Sequence, residues 1–406
     1  MGGAIVMKKR LWRVILFGFI LMILIGSAGF GYHNHRVMQR SDPIFFSGST
    51  KHIPARKLVP KTFVPRKVVT RQPKLSLKAK KLKQLLEPLI GGDQFVGTIL
   101  IVKNGQPIYD QGYGYANFQK QGFNTAQSEY QILSMQKSMT ATLLMQQVEA
   151  GRLRLTDRLA QFYPNIPGAK KMTIRSMLNM TTGLRIHNFS TRSLSGSGVV
   201  DYAAHHVQFL PNQNHKWSYQ PVNYTLLAGV LQRVTHRTYY QLFNQHIIRL
   251  LDLHHSGFVM LAKRANWLST PYHNQPFSDD SANYLHAFHE SPANQHNELA
   301  TGNVYMNASD FYKVSRAILQ ARFVSVENTQ ILHDAAGNRI GYAGGLYHEK
   351  NGGYWSHGVG YGEESGMMIS GDGQNAVIML SNYRRKDSML TQQCHQIYQN
   401  LMQGMY

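Results

Sequence analysis

The chain has 406 residues, of which 43% are hydrophobic and 11% aromatic, so it can bury a sizeable core. Its only cysteine is Cys394, which excludes an intrachain disulfide and a zinc site made of thiolates. The formal net charge of +22 is concentrated between Arg36 and Lys83, where fourteen Lys or Arg residues face one acid, Asp42, so we expect a globular body with a basic attachment.

The N-terminus predicts a membrane anchor. A basic cluster precedes an uncharged apolar run from Val14 to Phe30, which with its flanks is long enough to cross a bilayer. The positive charge predicts that residues 1–10 are cytoplasmic, that 11–32 span the membrane and that the rest is extracellular. A cleaved signal peptide is the alternative, because small residues at 26–29 offer a cleavage site. We favour a retained single-pass anchor in the cell membrane, since the apolar run continues past those residues.

Residues 33–84 predict an extended basic stalk. They contain five prolines and little periodicity, as is typical of a linker. Because the topology places this segment outside the cell, nucleic acid is not an expected partner. The expected partners are an anionic membrane surface or a polyanionic wall polymer, and a linker that is merely solvated is the alternative.

From Phe95 the pattern changes to that of β-strands. An apolar run that ends at Val102 is followed by Asn104-Gly105 and a second short apolar run, which predicts a β-hairpin because Asn-Gly favours the tight turn. Helical spacing then dominates from about 155 to 320, for example from Tyr240 to Leu251.

Strand patterns return near the C-terminus. Short apolar runs separated by glycine-rich turns, from Tyr342 to Leu380, precede a last helix at about 388–403. Strands from both ends of the chain around a helical middle predict an α+β fold, with one antiparallel sheet flanked by helices and an inserted, mainly helical subdomain. We assign 85–150 and 325–406 to the α/β part and 151–324 to the helical part.

The stretch Ser134-Met135-Gln136-Lys137 carries candidate chemistry. In a helix, positions i and i+3 share a face, so Lys137 can reach the Ser134 hydroxyl and accept its proton. Apolar periodicity continues to Val148, which predicts that Ser134 lies at the buried N-terminal end of this helix, where the helix dipole favours negative charge. Alone, the pair is equally compatible with a capping serine and a solvated lysine. The interpretation depends on partner residues.

Two further segments follow in order: Lys216 to Leu227, which contains Tyr219, and Tyr354 to Gly360, which contains His357. With the Ser-x-x-Lys stretch they resemble the three ordered motifs of serine β-lactamase-like hydrolases. This superfamily includes class C β-lactamases, low-molecular-weight penicillin-binding proteins and D-alanyl esterases. The stretches Met172 to Leu184 and Ala300 to Tyr305 support the resemblance, which covers about Lys83 to the C-terminus.

The resemblance implies a role for each residue. Ser134 would attack a carbonyl carbon and become acylated, a neutral Lys137 would take the proton, and Tyr219 would relay protons to the leaving group and later from water. Backbone N–H groups of Ser134 and of the strand that follows His357 would hold the oxyanion. Outside this context, Tyr219 would be interpreted as a buried aromatic residue with a bonded hydroxyl.

The substrate side departs from the family pattern. Pro221 stands where the second motif usually has an asparagine, and proline has no side-chain donor. His357 stands at the start of the third motif, which often reads Lys-Thr-Gly. In His357-Gly358-Val359-Gly360, Val359 replaces an expected glycine under one of two alignments that differ by one residue. Both departures weaken recognition of a peptide amide and its terminal carboxylate.

Two acids, Glu363 and Glu364, follow this strand in a chain that is poor in acids. A D-alanyl ester presents a free ammonium and no carboxylate, so acids near the site would suit it. The alternative is that both lie on a solvated loop. We therefore hypothesise a membrane-anchored D-alanyl esterase that acts outside the membrane on teichoic acid or a peptidoglycan-type wall polymer, most simply on D-alanyl esters of teichoic acid.

Other functions stay open at this point. Within the same chemistry these are a D-Ala-D-Ala carboxypeptidase and a general esterase, and outside it a catalytically silent wall-binding or penicillin-sensing module. No cofactor is expected. Metal catalysis is disfavoured, because the histidine pairs lack His-Glu-x-x-His or a comparable spacing with an acid.

Overall fold

The computed structural model describes residues 76–91, 94–262, 268–273, 282–336, 338–350, 352–385 and 390–406. The predicted cytoplasmic N-terminus, the anchor at 11–32 and the stalk up to residue 75 lie outside these described residues. Within the described ranges, no helix is long and apolar enough to cross a membrane. Helix α1, Leu77–Ile90, begins inside the stretch predicted as stalk, so ordered structure starts earlier than residue 85.

The core is a seven-stranded antiparallel sheet, which confirms the predicted fold class. Both ends of the chain contribute strands, as predicted. From one edge to the other the strands are β11 (Tyr342–Ala343), β12 (Leu346–His348), β13 (Tyr354–Gly360), β14 (Glu363–Ile369), β15 (Ala376–Ser381), β1 (Gly97–Lys103) and β2 (Gln106–Tyr113).

The first hairpin forms as the sequence predicts. Asn104 and Gly105 both have positive φ, 52° and 74°, which is the backbone that a tight hairpin turn requires. Strand β1 is buried along most of its length, because helices cover both faces of the sheet. Each fully buried Ile, Leu or Val contributes about 1.5–3 kcal/mol to folding.

Most of the helices between α1 and the C-terminal helix lie in the helical part, and the first and last of them lie in the α/β part. They are α2 (Lys137–Glu149), α3 (Ile174–Leu178), α4 (Gly196–His206), α5 (Val222–Thr235), α6 (Tyr239–Phe243), α7 (Pro292–Asn297), α8 (Ala308–Leu319) and α9 (Val326–Leu332). Helices α2 and α5 are buried and pack against each other. The helix predicted from Tyr240 to Leu251 is shorter, since α6 passes into a π-helical turn, Asn244–Arg249. The last helix, α10 (Leu390–Met402), packs on β14 and β15.

Smaller sheets tie the two parts together. In the three-stranded sheet, β5 (Tyr130–Gln131) pairs with β10 (Val304–Met306), which also pairs with β8 (Ser256–Phe258). This sheet fixes the chain immediately before Ser134. The two-stranded sheets are β3 (Tyr115–Asn117) with β4 (Gly122–Phe123), β6 (Leu184–Arg185) with β7 (Gln208–Phe209), and β9 (Tyr272–His273) with β16 (Tyr383–Arg384).

Candidate active site

Ser134 lies in a 3-10 helix, Leu133–Gln136, that leads directly into α2. Strand β5 ends at Gln131, and Ile132 N donates to Val304 O at 2.9 Å. Leu133 then adopts a φ of 53°, a backbone conformation that residues other than glycine rarely adopt. The chain therefore turns sharply just before Ser134, and strained backbone of this kind clusters at functional sites.

Lys137 is buried against Ser134. Its Nζ donates to Ser134 Oγ at 2.9 Å and to Thr301 O at 3.0 Å, and its side chain is 1% exposed. Within the described part of the chain, neither of these partners is an acid. Lys137 Nζ therefore lies where an amine can take the Ser134 proton directly as the hydroxyl attacks. The alternative interpretation, a solvated lysine one turn along a helix, is wrong.

Tyr219 joins this pair from the loop before α5. The centre of its ring is 5.2 Å from Lys137 Nζ and 6.1 Å from the ring of Tyr342. The structure thus brings Ser134, Lys137 and Tyr219 together although eighty-two residues separate the last two in the printed sequence. A hydroxyl at this place can exchange protons with the leaving group and with water.

Alternate residues of β13 face the nucleophile. A Cβ on Gly358 would lie 2.7 Å from Ile132 O and 2.8 Å from Leu133 Cβ, so a larger residue cannot fit without displacing backbone. A Cβ on Gly360 would lie 3.3 Å from Leu133 Cδ2. Strand alternation puts Ser356 on the same face, where it is 3% exposed and its Oγ has no hydrogen-bond partner among the described residues.

This packing decides between the two alignments of the third motif. The glycine requirement is at Gly358, which packs on the turn before Ser134, and Val359 occupies a position that accepts a side chain. Of the two alignments, the packing favours the one in which Gly358 is the required glycine. Gly358, the residue directly before Val359, already allows β13 to approach the turn before Ser134 closely.

The β13–β14 hairpin decides which backbone groups face the site. Tyr361 and Gly362 form a two-residue turn with φ of 51° and 83°, the pattern of a type I′ turn. In such a hairpin the flanking pair exchanges both ladder hydrogen bonds, and so does every second pair beyond it. The N–H of Val359 falls between these pairs and points away from β14. On that side β12 pairs, among the residues that the structure describes, only with Tyr354 and Trp355, so the N–H is directed into the site.

The side chain of His357 lies on the other face of the sheet. Its strand partner is Gly366, where a Cβ would meet Cys394 and Leu390 of α10 at 3.7 and 3.8 Å. His357 Nε2 is 3.4 Å from Glu364 Oε1, with the two side chains 11% and 5% exposed. The predicted placement of His357 at the substrate is corrected: Ser356 faces the nucleophile instead.

Glu363 and Glu364 are buried in β14, so neither lies on a solvated loop and neither presents its carboxylate to solvent. Glu363 Oε2 accepts from Gln131 N at 2.9 Å, and Oε1 accepts from Ser269 Oγ at 3.1 Å. Burial raises the pKa of Glu363 to about 8, although both hydrogen bonds act to lower it. Glu363 therefore supports the strand that leads to Ser134 and does not itself contact a substrate ammonium.

Pro221 precedes α5 and contributes no donor, as predicted. The next polar residue, Asn223, is buried and used inside the fold. Its Oδ1 accepts from Thr182 Oγ1 at 2.7 Å, and its Nδ2 donates to Gln220 O at 2.9 Å. Asn223 therefore does not replace the amide that the second motif lacks.

Comparison with known proteins gives the family. The Beta-lactamase family model matches residues 82–393, more than half of the chain. The chain belongs to the beta-lactamase family. This confirms the resemblance that the three motifs carry, and with it the prediction of a serine hydrolase.

Relatives and solved structures of this family extend over most of the chain. Penicillin-binding protein PbpX of Bacillus subtilis (strain 168) is 26% identical over 315 residues, 76% of each protein. A teichoic acid D-alanine hydrolase of Staphylococcus aureus is 24% identical over 337 residues, 81% of this chain and 80% of that protein. The crystal structure of FmtA from Staphylococcus aureus superposes with a TM-score of 0.69 at 21% identity, covering 80% of this chain and 87% of that chain.

Two residues of this beta-lactamase-family site carry little signal in the sequence. Ser356 stands beside His357, whose side chain is the more conspicuous, and only strand alternation places Ser356 toward Ser134. Thr301 lies in a stretch that the motif comparison found, but its contact with Lys137 is made by a backbone carbonyl. A carbonyl leaves no signal in residue type.

Proposed function

We propose that this chain is a cell-envelope serine hydrolase that removes D-alanyl groups through an acyl-enzyme on Ser134, and that its substrate is a D-alanyl ester of teichoic acid. One observation carries the choice of substrate: the positions of β13 that face Ser134 are Ser356, Gly358 and Gly360, and none of them carries a positive charge.

A peptide that ends in D-alanine presents a carboxylate, which needs a cation or strong donor beside the strand. The only titratable side chain of β13 besides Tyr354 is His357, which lies on the other face beside Glu364. A D-alanyl ester presents no carboxylate on either side of the scissile bond. The uncharged face of β13 therefore suits the ester better than the peptide.

The proposed reaction uses two displacements. Lys137 takes the proton of Ser134 Oγ while this oxygen bonds to the ester carbonyl carbon, and the N–H groups of Ser134 and Val359 hold the oxyanion. The bond to the polymer oxygen then breaks, and that oxygen takes a proton through Tyr219. Water attacks the D-alanyl ester of Ser134 by the same steps in reverse, which releases D-alanine and restores the hydroxyl.

The similarity to a teichoic acid D-alanine hydrolase over 81% of this chain supports this substrate class. The location follows from the sequence: we propose a single-pass anchor at 11–32 with the hydrolase outside the cell. The basic residues between Arg36 and Lys83 would then lie near the anionic membrane surface and the polyanionic wall polymer.

The test compares two substrates with the full-length protein in detergent. D-alanine release is measured from D-alanylated lipoteichoic acid and from a peptide that ends in D-Ala-D-Ala, for wild type and Ser134→Ala. We expect release from the polymer that depends on Ser134. Release from the peptide alone would reject the ester assignment, and no release from either substrate by the wild type would favour a catalytically silent module.

A D,D-carboxypeptidase is the second candidate, because PbpX, one of the relatives, is a penicillin-binding protein by name. This function predicts stable labelling of Ser134 by a fluorescent penicillin. We expect weak or absent labelling, since the lactam's carboxylate finds no cation on the face of β13 that Ser134 shares.

A further inference from the structure

We infer that Glu298 is a positioning residue: its carboxylate joins the turn that orients Lys137 to the hairpin that carries the oxyanion strand. The inference rests on the acyl-enzyme chemistry proposed for Ser134, and on nothing about the identity of the acyl group. It follows from three sets of contacts, which involve the turn at 298–302, the Glu298 side chain and the tip of the β13–β14 hairpin.

The turn at 298–302 points consecutive carbonyls at the nucleophile region. Thr301 N and Gly302 N both donate to Glu298 O at 3.0 Å, and Ala300 adopts a φ of 65°, which a residue with a side chain rarely does. Its three carbonyls all accept hydrogen bonds: Ala300 O from Thr140 Oγ1 at 2.9 Å, Thr301 O from Lys137 Nζ at 3.0 Å, and Gly302 O from Gln131 Nε2 at 2.8 Å.

This arrangement bears on the chemistry at Lys137. One N–H of the Lys137 amine donates to Thr301 O. This hydrogen bond fixes the orientation of Nζ relative to Ser134 Oγ. A shift of Thr301 would turn or withdraw Nζ from the proton it must accept. Small displacements of a catalytic group lower rates strongly, because reaction requires close and aligned atoms.

The Glu298 carboxylate holds Thr301 in place. Oε2 accepts from Thr301 Oγ1 at 2.6 Å, a short hydrogen bond. Gly302 leaves room for this carboxylate, since a Cβ there would lie 3.1 Å from Glu298 Oε2 and 3.4 Å from Leu133 Cα. A side chain at 302 would therefore press on both the carboxylate and Leu133, the residue that precedes Ser134.

The other carboxylate oxygen reaches the opposite wall. Glu298 Oε1 accepts from Tyr361 OH at 2.9 Å, and Tyr361 is the first residue of the two-residue turn that closes β13 and β14. Burial, and then the nearby carboxylates of Glu298 and Glu290, raise the pKa of Tyr361 well above its ordinary value, so its hydroxyl stays protonated and donates. One side chain thus joins the base side of the site to the oxyanion side.

The experiment measures how fast Ser134 reacts, without using any D-alanyl substrate. Full-length wild type, Glu298→Gln, Thr301→Val, Thr301→Ser and Tyr361→Phe are treated with a fluorophosphonate probe, and kcat and KM are measured with a p-nitrophenyl ester. Glu327→Gln is the matched control, because Glu327 is an exposed acid and loses the same charge. A failure of the teichoic acid assignment would leave these measurements unaffected.

We expect Glu298→Gln and Thr301→Val to lower the labelling rate and kcat by about 10- to 100-fold, with KM unchanged, as is usual when a supporting hydrogen bond is lost. Thr301→Ser keeps the hydroxyl and should restore most of the rate, and Tyr361→Phe should give a smaller loss. Glu327→Gln should react like wild type. Wild-type labelling of Glu298→Gln would overturn the inference. So would a Thr301→Ser protein as slow as Thr301→Val, a comparison that holds even if Glu298→Gln does not fold.

Discussion

The nucleophile side of the site and the strand opposite it differ in what holds their residues in place. Ser134 and Lys137 are one helical turn apart, and their contact of 2.9 Å follows from helical geometry. The residues of β13 that face them are selected by pairing with β14, where a slip of one residue would exchange Ser356 for His357. Local geometry fixes the chemistry, whereas sheet register fixes what the site can recognise.

The two faces of β13 show how strongly register acts on function. The face toward Ser134 has a hydroxyl and two glycines, while the other face places His357 beside Glu364. Had the histidine faced the nucleophile, an imidazole donor would have been available for a substrate carboxylate. Register alone therefore changes the class of substrate that the sequence predicts.

The largest effect is expected from removing the nucleophile. Ser134→Ala should lower kcat for a small ester by about 10⁴-fold or more, because no acyl-enzyme can form. Ser138→Ala is the matched control: Ser138 lies one turn further along α2 and donates to Met135 O at 3.0 Å. It should keep most of the activity. If both variants have equal activity, the assignment of Ser134 is wrong.

A smaller loss is expected from removing the proton relay. Tyr219→Phe keeps the ring beside Lys137 Nζ and deletes the hydroxyl, so we expect kcat to fall by about 10²- to 10⁴-fold with little change in KM. Steady-state kinetics with a small ester provides the measurement. An increase in KM at constant kcat would instead assign Tyr219 to substrate binding.

The strand side can be tested at its tightest contact. Gly358→Ala would place a Cβ 2.7 Å from Ile132 O, and we expect a loss of about 1–3 kcal/mol in the free energy of unfolding and about 10²-fold in kcat. Gly366→Ala is the control on the opposite face, where the nearest atom is 3.7 Å away. Denaturant unfolding and ester hydrolysis should separate the two, and equal tolerance would contradict the register described above.

The last effect concerns pH and stability and does not involve catalysis. Since the pKa of Glu363 is about 8 in the folded chain and near 4.5 when unfolded, the native state holds the extra proton between these values. This group's contribution to stability is complete below about pH 4.5 and is lost as pH rises through 8, at no more than about 1.4 kcal/mol per pH unit. Glu363→Gln should flatten this decline, as measured by denaturant unfolding at pH 5, 6.5 and 8. A profile identical to that of wild type would contradict the raised pKa.

The sequence by itself determined the features that depend on neighbours along the chain. These include the Asn104-Gly105 hairpin, the Ser134 and Lys137 pair, the α+β class, and the family. Its errors in local structure have local causes as well. The strand predicted from Tyr342 to His348 is divided because Gly344 and Gly345 turn the chain with φ of 57° and 87°.

Only the tertiary structure decided the features that depend on distant contacts. The face of β13 that meets Ser134, the burial of Glu363 and the backbone partner of Lys137 leave no periodic signal. The hydrogen bond from Tyr361 to Glu298 joins residues that are sixty-three positions apart in the sequence. Spacing in sequence predicts contacts within one helix or hairpin, whereas packing of separate elements is set by the whole core, where one shift of register moves every side chain to the other face.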